Sequence, residues 1–186
     1  LRDIGAMAAE PASILIISGP PGSGKTTVAR RLAETSERPA VHLHTDDYYA
    51  AIRSGYILPW LPESAAQNAT VTRAIAAAAC AYGVGGYPVM LDGVVGPWFL
   101  DTYREAAAKA GLELGYAVLR PDRATAVARA RDREKDPLAD YPPRIFEEFA
   151  DLGALEGHAI DTTAASVEAV VESVRKGLAE GRFRLS

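Results

Sequence analysis

The stretch Gly19-Pro-Pro-Gly-Ser-Gly24-Lys25-Thr26 constrains this chain more than any other, because it satisfies G-x-x-x-x-G-K-[ST] at every fixed position. Ahead of it lies a short β-branched apolar run, Ile14–Ile17, which reads as a strand buried on both faces. Behind it Val28, Ala29, Leu32 and Ala33 fall on one stripe of an amphipathic helix. Strand, glycine-rich turn and helix in that order make a cradle for phosphate. The glycines let backbone N–H groups turn inward, and the helix N-terminus adds its positive dipole end. Gly19, Gly22, Ser23, Gly24, Lys25, Thr26 and Thr27 are therefore the candidate phosphate contacts. In such a loop the lysine reaches the β- and γ-phosphates and the threonine hydroxyl ligates Mg²⁺. A Gly/Pro turn with an unrelated lysine would require neither flanking element.

The rest of the chain continues the alternation. Val41–Thr45 reads as a second strand, and 54–63, with Gly55, Pro59 and Pro62, as a loop. Ser64–Tyr82 is an alanine-rich helix stopped by Gly83, Gly85 and Gly86. Pro88–Leu91 is a buried strand ending at Asp92-Gly93, and a helix from Pro97 to Ala110 ends at Gly111. Leu114–Leu119 is a fourth strand, Pro121-Asp122 opens a helix rich in Ala and Arg, and 136–143 is loop. His158–Asp161 makes a weak fifth strand, and Val167, Val170, Val171, Val174 and Leu178 stripe the last helix. Strands alternating with helices at this spacing predict an α/β fold with a mainly parallel sheet. With 186 residues and no linker or repeat, one domain over 1–186 is expected. Residues 1–12 are read as an N-terminal extension, with Met7 as a candidate start.

A net charge of −4 argues against nucleic acid or an anionic membrane as the main partner. The apolar runs Ile14–Ile17 and Ala74–Ala81 fall far short of the roughly 20 residues a bilayer needs. Cys80 is the single cysteine, which leaves no internal disulfide and no cysteine metal cage. That usage fits a reducing compartment, and a cytoplasmic protein is expected.

Several polar residues are placed to do chemistry around the loop. Asp92 ends a buried strand, where a carboxylate holds Mg²⁺ through water; the plainer reading is a turn-forming Asp before Gly93. Asp46 and Asp47 follow the second strand, and strand C-termini line the ligand crevice of an open parallel sheet. Phosphoryl transfer to a hydroxyl needs a carboxylate to orient it and take its proton. One acid for chemistry and one for capping the next helix is the economical split, with Asp46 as the base. Arg120, Arg123, Arg129, Arg131, Arg133 and Lys135 crowd one segment, and Arg129 and Arg133 are i,i+4 on one helix face. They either grip polyphosphate or line a solvated face beside Asp122, Asp132, Glu134 and Asp136. His42 and His44 share a strand face, and two histidines without a third ligand read as core or rim residues. Tyr48, Tyr49, Trp60 and Trp98 are core anchors or the wall of an acceptor pocket.

Together these parts resemble the small-molecule kinase branch of the P-loop NTPases, over nearly the whole chain after residue 12. The resemblance is carried by Gly19–Thr26, Thr45-Asp-Asp-Tyr-Tyr49, Asp92, the Arg-rich helix with its Pro-containing continuation, and Ile160-Asp-Thr-Thr163. Asp46-Asp-Tyr-Tyr49 is similar to the D-x-[FY]-Y segment of uridine and nicotinamide riboside kinases, whose first Asp is the catalytic base, so that role is implied for Asp46. Chloramphenicol phosphotransferase-like and zeta-toxin-like kinases also place an acid after this strand. The resemblance implies a three-layer α/β/α fold with a five-stranded sheet in the order 2-3-1-4-5. It implies lid arginines at Arg129 and Arg133, a mobile lid over 134–148, and Asp161–Thr163 near the adenine, with Thr162 as a nucleotide contact. No N-K-x-D segment is present, so the guanine-specificity element of GTPases is missing, and the chain lacks the second helical domain of ring-forming ATPases. The stretch Gly55–Asn68, with Pro-Trp-Leu-Pro-Glu-Ser, matches no acceptor site of these families.

The expected activity is transfer of the γ-phosphoryl of Mg-ATP to a hydroxyl of a small molecule. Lys25, Asp46, Arg129 and Arg133 would be catalytic, and Thr26 and Asp92 would hold the metal. The rivals are an acceptor-independent ATPase and a non-catalytic ATP-binding switch. The sequence names neither the acceptor nor the oligomeric state.

Overall fold

The computed structural model describes residues 11–131 and 143–185. Five strands, β1 (Ile14–Ser18), β2 (Val41–His44), β3 (Val89–Asp92), β4 (Leu114–Leu119) and β5 (Ala159–Ile160), form one sheet in the order β2-β3-β1-β4-β5. Every strand pair in it is parallel. The helices are α1 (Lys25–Glu34), α2 (Thr45–Ala50), α3 (Ala65–Val84), α4 (Leu100–Ala110), α5 (Arg123–Arg131), α6 (Arg144–Glu148) and α7 (Val167–Ala179). Parallel neighbours need crossovers, and the helices that make them cover both sheet faces.

The layering follows from alternation within β1. Ile14 and Ile16 pack with Val71 and Ile75 of α3 and with Leu100 and Tyr103 of α4. Leu15 and Ile17 pack the other way, against Val28 and Leu32 of α1 and Val170 and Val174 of α7. A strand buried on both faces has no polar alternate positions, hence the unbroken apolar run. Ile16 and Ile17 are wholly buried. Ile16→Ala is expected to lower the free energy of unfolding by about 2–5 kcal/mol, read from urea denaturation.

Several details differ from the sequence reading for physical reasons. The second strand stops at His44, and Thr45 already starts α2, so Asp46 and Asp47 occupy a helical first turn where the dipole favours acids. Helix α3 runs through Gly83 to Val84, with Gly85 as its cap. In α7 the buried stripe is Val170, Val171, Val174 and Gly177, while Leu178 is 40% exposed. The wholly buried Phe183 covers the neighbouring Gly177: a Cβ there would lie 2.2 Å from that ring. The same tail fills an open edge. β5 pairs with Val118 and Leu119, and below it Tyr116 N–H donates to Phe183 O and Leu185 N–H to Leu114 O. An antiparallel bridge between Gly115 and Arg184 completes this cover. Of the expected lid, 134–142 lies outside the described residues, and α6 forms most of the remainder.

Candidate active site

The carboxyl ends of β1, β3 and β2 lie side by side, which brings the phosphate loop, Asp92 and the start of α2 together. Ile17 is in register with Asp92, and Asp92 with His44. The loop leaves β1 at Ser18, whose hydroxyl donates to Val95 O at 2.8 Å and accepts from Val95 N–H at 3.0 Å. The Tyr116 hydroxyl also donates to Val95 O, at 2.8 Å, so the segment after β3 is pinned beside the loop.

Two glycines in the loop are required by geometry. Gly22 has φ +76°, and a Cβ there would lie 2.0 Å from the Ala126 carbonyl oxygen, because α5 passes directly over the loop. Gly24 has φ +89° and occupies the N-cap of α1 without any side-chain cap, leaving the helix's first N–H groups to an anion. The Ser23 hydroxyl is buried without a partner among the described residues. Lys25 is 9% exposed, and its Nζ donates to Pro20 O at 3.4 Å.

Asp92 is wholly buried and is the hub of the site. Its Oδ2 accepts from the Thr26 hydroxyl at 2.7 Å. Its Oδ1 lies 2.6 Å from His42 Nε2, and His44 Nδ1 lies 3.1 Å from Oδ1 and 3.2 Å from Oδ2. The other nitrogen of His44, Nε2, lies 3.3 Å from Asp46 Oδ2. The two histidines are thus half-buried rim residues whose rings are partners of two carboxylates. Among the described residues no cluster of three or more His, Cys, Asp or Glu could hold a metal. Gly93, read as a turn former, is also a packing requirement: a Cβ there would lie 2.0 Å from Thr45 Oγ1.

Burial by itself would raise the pKa of both carboxyls. At Asp92 the hydrogen bonds from His42, His44 and Thr26 outweigh it and hold the carboxyl well below the usual range. At Asp46 the His44 bond and the charges of His44 and Lys25 do the same. His44 is pushed up to about 10, first by its bond to Asp46 and then by Asp92. Tyr49 is pushed up to about 12 by burial, then by Tyr56 and Asp46, which places both phenols near that carboxylate. The raised imidazole stabilises the fold fully below its ordinary 6.5 and loses that stabilisation as pH climbs through about 10. The depressed Asp92 contributes above its ordinary 3.8 and fails only in acid. The Tm advantage of the wild type over His44→Gln is expected to be largest near pH 6 and to vanish near pH 10, measured by differential scanning calorimetry.

Asp47 is exposed on α2, whereas Asp46 faces Lys25 and His44. Arg129 donates to Thr162 O at 3.2 Å and Thr163 O at 3.1 Å, clasping the turn after β5 to α5. Thr162 in that turn is 2% exposed, and its hydroxyl has no partner among the described residues. Arg133 lies outside the described residues. Arg120 is structural: it pairs with Glu156 and donates to Phe149 O and Ala150 O.

The unassigned stretch after α2 is a built loop. Gln67 of α3 clamps Ile57 with two bonds, accepting from its N–H at 2.9 Å and donating to its carbonyl at 2.6 Å. Asn68 and Ser64 both donate to Pro59 O. Tyr56, Leu58 and Leu61 are left exposed, and the Trp60 carbonyl accepts from Arg144 of α6. Trp98 is half exposed, its ring 6.4 Å from that of Phe149.

A family model described as an AAA domain matches residues 14–151. A comparison with curated proteins found no match. Among solved structures, a sugar kinase from Janibacter sp. superposes with a TM-score of 0.67 at 20% identity, over 91% of this chain and 95% of its own. The gluconokinase of Sinorhizobium meliloti gives 0.62 at 20% identity, over 92% and 94%. The Mycobacterium tuberculosis APS kinase in complex with AMPPNP and APS gives 0.61 at 18% identity, over 91% and 98%. No helix among the described residues is long and apolar enough to cross a membrane.

Proposed function

Because this chain belongs to that AAA-domain family and has the fold of P-loop small-molecule kinases, we propose that it transfers the γ-phosphoryl of Mg-ATP to a hydroxyl of a small molecule. The observation that carries the reading is the placement of a second carboxylate, Asp46, on the far side of His44 from Asp92 and within the field of Lys25. Binding a nucleotide and its metal needs only the loop, Thr26 and Asp92. An additional acid held at the mouth suits a hydroxyl acceptor.

The phosphates would lie on the N–H groups from Gly19 to Thr27, with Lys25 between the β- and γ-positions. The Thr26 hydroxyl donates its hydrogen bond to Asp92, so its oxygen lone pairs are turned outward and fit a hard cation. Mg²⁺ there would draw charge from the β- and γ-oxygens, with Thr26 as ligand and Asp92 holding its water. Asp46 orients the acceptor hydroxyl and accepts its proton as the new O–P bond forms and the bond from the γ-phosphorus to the β–γ bridging oxygen breaks, leaving ADP. Lys25, Arg129 and Arg133 offset the charge that moves onto that leaving oxygen. For Arg129 this requires exchanging the Thr162 and Thr163 carbonyls for phosphate oxygens, while Thr162 stays beside the nucleotide. Segment 134–148 would act as the closing lid of a single catalytic domain spanning the chain, working in the cytoplasm where Mg-ATP is abundant. The test is the fate of γ-labelled phosphate. Label recovered in an organic phosphate ester supports the reading, and label recovered only as inorganic phosphate overturns it.

A further inference from the structure

The imidazole of His44 stands between the two acids that the transfer reading uses, with Nδ1 3.1 Å from Asp92 Oδ1 and Nε2 3.3 Å from Asp46 Oδ2. An ionised carboxylate only accepts hydrogen bonds, so both ring nitrogens must donate. We propose that His44 is a positioning residue that anchors the acceptor-side carboxylate Asp46 to the end of β2, beside the buried metal-side carboxylate Asp92, so that acceptor hydroxyl and ATP phosphates are aligned against one rigid reference.

Asp92 cannot move: it is wholly buried, ends β3, and is held by Thr26 and His42 as well. His44 is fixed at the end of β2 by pairing in register with Asp92. Asp46, by contrast, sits in the first turn of a six-residue helix at a partly open mouth. His44 supplies its hydrogen bond to a fixed part of the site. A general base misplaced by about 1 Å loses on the order of a hundredfold in rate, so an anchor on the sheet has a direct catalytic consequence. His42 makes a useful contrast, because its Nε2 bonds Asp92 and no bond joins it to Asp46.

This role rests on the transfer reading, and two substitutions separate its halves. The amide nitrogen of Asn falls where Nδ1 stands, and that of Gln where Nε2 stands. His44→Asn keeps the bond to Asp92 and loses the one to Asp46, whereas His44→Gln keeps the bond to Asp46. Expected is a fall of about tenfold to a hundredfold in kcat for acceptor phosphorylation in His44→Asn, with KM for ATP within twofold of wild type. His44→Gln should recover most of that loss although it removes the same charge. Equal losses in both variants, or losses that track Tm, overturn the assignment. If no hydroxyl compound is phosphorylated by the wild type, the transfer reading fails by itself. The positional claim is then decided by ¹³C NMR of labelled aspartate carboxyls. The Asp46 resonance, assigned with Asp46→Asn, is expected to shift in His44→Asn and stay in His44→Gln; an unmoved resonance in both contradicts it.

Discussion

Lys25→Ala is expected to lower kcat/KM for ATP by at least a hundredfold while changing Tm by only a few degrees. The ammonium is almost enclosed by the loop and bonds to Pro20 O, so it is already held close to where the phosphates of a bound nucleotide would lie. A donor preorganised in a site that excludes water acts on developing charge without reorganising, and removing one costs about 10²–10³ in rate. The fold asks little of this side chain, because the strand before it and the helix after it are packed through Ile17, Val28 and Leu32. Steady-state kinetics with a binding isotherm for a fluorescent ATP analogue check both halves. A variant that keeps its turnover would remove the phosphate loop from the chemistry.

Asp46→Asn should produce the opposite pattern: ATP binding preserved, and acceptor phosphorylation reduced by about 10²–10⁴, the usual range for loss of a general base. The amide can still contact His44 but cannot take a proton. Asp92→Asn makes the informative comparison. It strands His42 and His44 against a neutral group inside the fold, and breaking a buried pair in this way costs about 3–5 kcal/mol. It should therefore lower Tm strongly and weaken Mg-ATP binding, which Asp46→Asn should not do. Urea denaturation and nucleotide binding, run on both variants, separate the two acids.

The fold was largely legible because its signals are local. The unbroken apolar run of β1, the glycine loop and the stripe of α1 each declare themselves within a dozen residues, and the strand order implied by family resemblance is the one observed. Most misplaced details depend on partners outside the element that was read. Leu178 continues a helical stripe by spacing, yet it is 40% exposed while Phe183, beyond the helix, is wholly buried against Gly177. The histidines were set on one strand face, but that their face meets Asp92 follows from the pairing of β2 with β3, which no pattern within either strand encodes. Gln67 clamping Ile57 is of the same kind, so the loop after α2 showed its Gly and Pro residues without its architecture. A His-x-His pair at the end of a strand whose neighbour ends in Asp was the one available hint.

The central claim is that turnover waits for a hydroxyl acceptor, and ADP release from Mg-ATP, measured with and without a panel of hydroxylated compounds, tests it most directly. The prediction is slow release from ATP alone, stimulation by at least one compound, and loss of that stimulation in Asp46→Asn. Steady release that no compound stimulates, and that survives Asp46→Asn, would contradict it and make the protein a nucleotide hydrolase.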